Sequence, residues 1–207
     1  MIVQPIVEGQ GEEAAVPVLL RMLRDQAQAW TLQIARPHRR RRSQLVKKDT
    51  LQTAVRVAAL KAECAAIIVI LDADDDCPAE LAPKMQEWAN EAAGAKTCAI
   101  VIANREYEAW LLASIETLRG RRSFLADAEE HRDPERPRDA KGELERRMQP
   151  GSSYSPSVDQ AAMTAHLEPA LVYSRCRSFR KLVKTFGEIA AAAGAPIGTW
   201  PPAGWQA

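Results

Sequence analysis

The chain has 207 residues, 46% hydrophobic and 27% charged, which suits one domain with additions and allows a substantial core. No apolar run approaches the roughly 20 residues that span a bilayer, and the opening MIVQPIVEG lacks the basic flank and small-residue cleavage site of a signal peptide. A formal net charge of +1 argues against a uniformly basic or acidic protein but conceals separate basic and acidic clusters.

Taken in chain order, MIVQPIV (1–7) predicts a strand and EEAAVPVLLRMLRDQAQA (12–29) a helix, with Pro17 in its early turns where a missing N–H is accommodated. TLQIARP (31–37) alternates as a strand and runs into RPHRRRRS (36–43), the first basic cluster. KDTLQTAVRVAALKAEC (48–64) predicts a helix, and AAIIVIL (65–71) a strand of the kind buried on both faces of a parallel sheet. PAELAPKMQEWANEAAG (78–94) is helical between a proline start and a glycine end. KTCAIVIA (96–103) predicts a fourth strand and REYEAWLLASIETL (105–118) the helix after it, with Trp110 on the face that packs on the sheet. This alternation predicts an open, mostly parallel α/β sheet, Rossmann-like and flanked by helices, over residues 1–118.

Residues 119–207 are expected to form a helical extension packed on that sheet, with helices at 139–148, 158–167 and 178–193. A second basic zone, SRCRSFRKLVK, lies at 174–184, and the tail, which has no periodic pattern, is expected to be either loosely ordered or packed through Trp200 and Trp205. Cys64, Cys77, Cys98 and Cys176 form no CxxC pair and no metal-finger spacing, so reduced thiols in a cytoplasmic protein are expected.

Sites in such sheets gather at the carboxyl ends of the strands. Acids fall there three times: Glu8, then Asp72 with Asp74, then Glu106 with Glu108. In IIVILDADDDC the acids are close enough to repel, and a compensating partner is required. A divalent cation is one solution and a solvated acidic turn is the other. Glu12 and Glu13 favour the dipole of the helix they begin without any metal. Asp75 and Asp76 can cap the helix at Pro78, and Glu106 and Glu108 can be first-turn acids. His38, His131 and His166 stand apart and receive no ligand role.

GQGEEA also matches the G-x-G-x-x-G/A fingerprint of dinucleotide sites, which would make the chain a nucleotide-binding oxidoreductase. Glu8, Glu12 and Glu13 surround the helix start where a pyrophosphate would lie and would repel it. Gly9 and Gly11 have another use, letting the chain turn sharply from strand to helix.

VEG-x-x-E after the first strand, with LDADDD after a later one, resembles a Toprim domain, the catalytic module of topoisomerases, bacterial primases, a ribosomal-RNA maturase and OLD-family nucleases. VEGQGEE resembles the OLD branch. More narrowly, IVEGQGEE, LDADDDCP, ANREYEAWLLAS, YSPSVDQAAM and RSFRKL, in that order, resemble the bacterial domain-of-unknown-function family 4276. The resemblance implies a catalytic set of Glu8, Asp72 and Asp74, with Glu8 as metal ligand or general acid/base. It implies metal ligands among Glu8, Glu12, Asp72, Asp74, Glu106 and Glu108, the choice between the last two being open. One or two Mg²⁺ or Mn²⁺ ions would serve phosphodiester hydrolysis of DNA, or of RNA.

OLD nucleases carry an ATPase domain, so the resemblance implies a separate ATPase partner and a role in phage defence. Arg39, Arg40, Arg41 and Arg42, and Arg177, Arg180 and Lys181, are the candidate contacts to nucleic acid, with solvated surface as the other reading. Lys141 is a candidate charge stabiliser. The rival from another class is a Toprim-like subunit that binds metal or nucleic acid without cutting.

Overall fold

A computed structural model describes residues 1–205. The first half contains β1 (Ile2–Val7), α1 (Gln10–Gln26), β2 (Gln33–Ile34), β3 (His38–Arg39), α2 (Arg42–Leu45), α3 (Lys48–Ala59), β4 (Cys64–Asp72), α4 (Pro78–Ala93) and β5 (Thr97–Ala103). The strands make one parallel sheet in the order β2-β1-β4-β5, with β3 beside β1 on the same edge as β2. The fold class is therefore the open parallel α/β sheet that the alternation predicts.

Side chains of β4 alternate between two apolar layers, as strand geometry requires. Ala66, Ile68 and Ile70 face the layer that includes Leu19, Leu20, Trp110 and Phe179. Ile67, Val69 and Leu71 face the layer under α3 and α4, with Leu51, Val55, Met85 and Ala89. The first layer is continuous across residue 118, joining Val101 and Leu112 to Phe124, Leu144, Phe186 and Trp205.

The expected strand at 31–37 is instead two short pieces. β2 pairs with Ile2 and Val3, β3 with Ile6 and Val7, and the chain between them takes one extra residue. Pro5 explains why the interruption is tolerated. The carbonyls of Val3 and Val7 accept from Ala35 and Arg40 on this edge, so Pro5 turns its missing N–H into the gap and no ladder bond is lost. The buried side chain of Gln4 fills the gap by donating to the main-chain oxygens of Pro5 and Arg36, 2.9 Å each.

The expected helix at 105–118 is also divided, into α5 (Glu108–Leu112) and α6 (Ile115–Leu118). Ser114 interrupts it, its hydroxyl accepting from the N–H of Glu168 at 2.9 Å. Then come α7 (Ala140–Glu145), α8 (Pro156–Thr164), α9 (Pro169–Arg175) and α10 (Arg177–Ala192). No helix was expected at α9, which starts with Pro169 behind a capping Glu168. Of the two expectations for the tail, packing holds: Trp200 and Trp205 pack together, ring centroids 5.7 Å apart. No helix among the described residues is long and apolar enough to cross a membrane.

Candidate metal centre

β1 and β4 are neighbours and parallel, so their carboxyl ends bring Glu8 and Asp72 to one edge of the sheet. One oxygen from each of Glu8, Glu12 and Asp72 lies within 4.8 Å of the others. Glu12 reaches the group because α1 begins directly after β1. Its Oε2 accepts from the N–H groups of Glu8 (3.0 Å) and Gly9 (2.8 Å), so it caps the helix start and joins the cluster at once. Asp72 Oδ1 accepts from the N–H of Tyr107 at 2.7 Å, which ties the end of β4 to the turn after β5.

Glu108, on the first residue of α5, is buried beside them. Its Oε1 accepts from the Tyr154 hydroxyl (2.9 Å) and from Gln160 Nε2 (3.2 Å), while Oε2 has no partner. Glu8 Oε2 and Gln160 Oε1 are likewise buried without partners. A pocket of about 310 Å³ opens onto this group, lined by Glu8, Glu12, Asp72, Glu108, Lys141 and Gln160 among others.

The electrostatics follow from four carboxylates and one lysine in a desolvated space. Burial, then repulsion from Glu12 and Asp74, pushes Glu8 up from 4.5 to about 8. Burial also raises Glu12 to about 7, against the pull of its bond from Gly9. Asp72 is held well above the ordinary carboxylate range by burial, then by Glu12, Glu108 and Glu8. Burial raises Glu108 despite Lys141 and the Tyr154 hydrogen bond. For Lys141 burial works the other way, yet Glu108, Glu106 and Asp72 hold its ammonium above the usual range. Buried like charges of this kind are relieved by protons or by a cation.

The other acids of IIVILDADDDC are compensated differently. Arg42 donates to the main-chain oxygens of Asp72 (3.0 Å) and Ala73 (2.9 Å) and pairs with Asp74 (3.2 Å) and Asp76. Arg105 pairs with Asp75 at 3.1 Å, and Arg138 lies 3.5 Å from it. Both answers to the acidic run thus occur together: Asp72 turns into the carboxylate cluster, and the next three acids form an exposed, arginine-paired turn. Asp74, with φ +50°, points to Arg42 and lies outside the three-carboxylate cluster. Glu106 also lies outside it, accepting from the Lys141 N–H (3.1 Å) and Nζ (3.4 Å).

Of the basic candidates, Arg42 is committed to the acidic turn. Arg39 lies 3.7 Å from Glu13, and Arg40 and Arg41 are exposed at the same strand end. Arg180 donates to the main-chain oxygens of Tyr173 and Ser174. Arg177 and Lys181 line a different cavity, with Pro78, Ile100 and Ile102. Tyr154, Ser157 and Gln160 were given no role by sequence, although the motif YSPSVDQAAM contains all three. Gly11, central to the dinucleotide fingerprint, is packed under α8. A Cβ there would sit 2.4 Å from Gln160 Oε1 and 2.6 Å from the Pro156 carbonyl oxygen.

The donor set fits a metal. Carboxylate oxygens suit hard divalent cations, three of them converge, and one of the converging residues keeps a buried oxygen without a partner. Fold and site together define an α/β protein with a buried carboxylate cluster, able to hold a metal ion, at the carboxyl edge of a parallel sheet. The chain belongs to the family described as Domain of unknown function (DUF4276), which it matches over residues 7–187. No curated protein and no solved structure matches it.

Proposed function

We propose that the chain is a Mg²⁺- or Mn²⁺-dependent phosphodiesterase acting on nucleic acid, related to the Toprim nucleases. The observation that supports this most is the convergence of Glu8, Glu12 and Asp72, with Glu108 beside them, at the edge of a parallel sheet where ligands collect. Glu8, Glu12 and Asp72 would hold the ion, and when bound it supplies Lewis-acid stabilisation of charge building on phosphoryl oxygens. Lys141 puts a positive charge at the same pocket and assists in binding a phosphate there. Glu108 keeps one buried oxygen free, and its raised affinity for a proton suits it to hold or release one beside a reacting oxygen. Arg40 and Arg41, at the neighbouring strand end, guide a phosphate backbone toward the pocket. A separate ATPase partner and a phage-defence setting rest on the resemblance to OLD-family proteins alone.

The test is cleavage of plasmid, linear duplex and single-stranded DNA and RNA with Mg²⁺ or Mn²⁺, beside an Asp72→Asn variant purified in parallel. Metal-dependent cutting that the variant lacks supports the proposal. Cutting that survives in the variant removes Asp72 from the site. Metal binding without cutting by either turns the reading to a binding subunit.

A further inference from the structure

β5 ends the sheet on the side away from β2, so its outer edge has no strand beside it. Such an edge presents main-chain N–H and C=O groups that another chain can pair with. The Ala103 carbonyl accepts from the Ala73 N–H after β4, so Val101 and Ala103 turn their main-chain groups inward. Cys98, Ile100 and Ile102 therefore turn theirs outward. Gln86 of α4 covers the first part of this edge. Its Nε2 donates to the Cys98 oxygen at 2.7 Å and its Oε1 accepts from the Ile100 N–H at 3.0 Å, as the peptide group of a neighbouring strand would. Beyond Gln86, the Ile100 carbonyl and the Ile102 N–H and carbonyl have no partner among the described residues.

α4 packs on one face of the sheet and α10 on the other, and both flank this open stretch. The α4 side is apolar, with Pro78, Ala82 and Pro83. The α10 side is cationic. Arg177 and Lys181, one helical turn apart, are exposed, and neither side chain is ion-paired among the described residues. The acid next to them, Glu135, is engaged elsewhere, accepting from the N–H groups of Arg177 and Ser178 at 2.8 Å each.

We infer that this edge binds an extended peptide segment of a partner protein, with alternating apolar and acidic residues, as an added strand of the sheet. The peptide main chain supplies what Gln86 supplies further back: an N–H for the Ile100 carbonyl and a carbonyl for the Ile102 N–H. Successive side chains of a strand point to opposite faces. One set then meets Pro78, Ala82 and Pro83, and the other meets Arg177 and Lys181, so the alternating pattern satisfies both walls. A second copy of this chain fits less well. Antiparallel pairing of two β5 edges would put both α10 helices on one face and bring like cations together. The carboxylate cluster takes no part, and binding here is independent of phosphodiester cleavage.

Cations beside an open edge also deter pairing with other chains, and the experiment separates recognition from deterrence. A short labelled peptide of alternating valine and glutamate is titrated with the full chain by fluorescence anisotropy, beside its valine–lysine counterpart. The glutamate peptide is expected to bind roughly tenfold more tightly, and Arg177→Glu/Lys181→Glu, at exposed positions, is expected to reverse the order. Saturation with the glutamate peptide is expected to slow hydrogen exchange at the Ile102 N–H roughly tenfold or more. Equal affinity for the two peptides, or no binding of either, overturns the inference. Preference for glutamate without slower exchange at Ile102 means attraction between charges alone and overturns strand addition. A single-stranded DNA oligonucleotide that displaces the peptide from the parent, and does not bind the charge-reversed variant, overturns it in favour of a nucleic-acid surface.

Discussion

The Tyr107 N–H donates to Asp72 Oδ1 at 2.7 Å, fixing one oxygen of a buried carboxylate that is crowded by Glu12, Glu108 and Glu8. Asp72→Asn keeps that acceptor and the side-chain size while removing one charge. Without metal the variant is expected to melt at a higher temperature than the parent, because repulsion is relieved. It is also expected to lose most of the stabilisation that Mn²⁺ gives the parent. Scanning fluorimetry in EDTA and in Mn²⁺ reads both effects. A parent-like Mn²⁺ shift in the variant would exclude Asp72 as a ligand.

The raised carboxyl groups set the pH dependence of the metal-free protein. Glu8 moves from 4.5 to about 8 and Glu12 from 4.5 to about 7 on folding. Between those values the folded state binds more protons than the unfolded one, so these groups make stability fall as pH rises. Their cost is absent below 4.5 and complete above about 8. Urea midpoints in EDTA are expected to fall across this window more steeply in the parent than in Glu8→Gln. Mn²⁺ is expected to raise the parent's midpoint more at the upper end than at the lower. Parallel pH profiles for parent and variant would contradict the assignment.

Arg42 holds the acidic turn through two main-chain oxygens and two carboxylates. Arg42→Ala removes one donor from each of these groups, although the Ala73 oxygen keeps the Asp76 N–H at 2.9 Å, and is expected to cost about 1–3 kcal/mol in urea unfolding. Arg42→Lys recovers little, because an ammonium cannot reproduce the planar fork. Full rescue by lysine would mean that charge alone matters here.

Gly9 and Gly11 are expected to behave differently. A Cβ on Gly9 meets only the Glu12 carboxylate, at 3.4 Å, whereas one on Gly11 lies 2.6 Å from the Pro156 main-chain oxygen. Gly9→Ala is expected to be nearly neutral. Gly11→Ala is expected to cost about 1–3 kcal/mol through overpacking and to displace the start of α8. Thermal unfolding of the two variants side by side decides it, and equal effects would refute the close packing of α8 on α1.

Arg40 and Arg41 are exposed just past β3, whose Arg39 is in register with Val7, the residue before Glu8. If they contact phosphates, Arg40→Ala/Arg41→Ala lowers the salt dependence of single-strand binding by a slope of about 1.4, near 0.7 per contact. Fluorescence anisotropy at several salt concentrations measures the slope, and an unchanged value would place both side chains off the path.

Much of the scaffold was legible because it follows from local pattern. The apolar run before Asp72 could be satisfied only by a strand covered on both faces, and β4 is buried on both. Alternation of strands and helices implied a parallel sheet, and a parallel sheet places Glu8 and Asp72 at one edge. The edge strand was less legible, since its break depends on Pro5 and Gln4 of the neighbouring strand rather than on residues 31–37 themselves. The division of 105–118 likewise depends on Ser114 meeting the distant Glu168.

By itself, then, the sequence determined the sheet, its direction and the strand ends at which acids collect, because side-chain period and connection length act over short stretches of chain. Only the tertiary structure decided which acids converge. Spacing cannot separate Asp72 from Asp74 or Glu108 from Glu106, whereas the fold supplies arginine partners to one turn and the Lys141 segment to Glu106. It also brings Tyr154 and Gln160 from far along the chain to Glu108. Which carboxylates are stripped of water and counter-charge depends on packing between remote segments, and that packing makes the site.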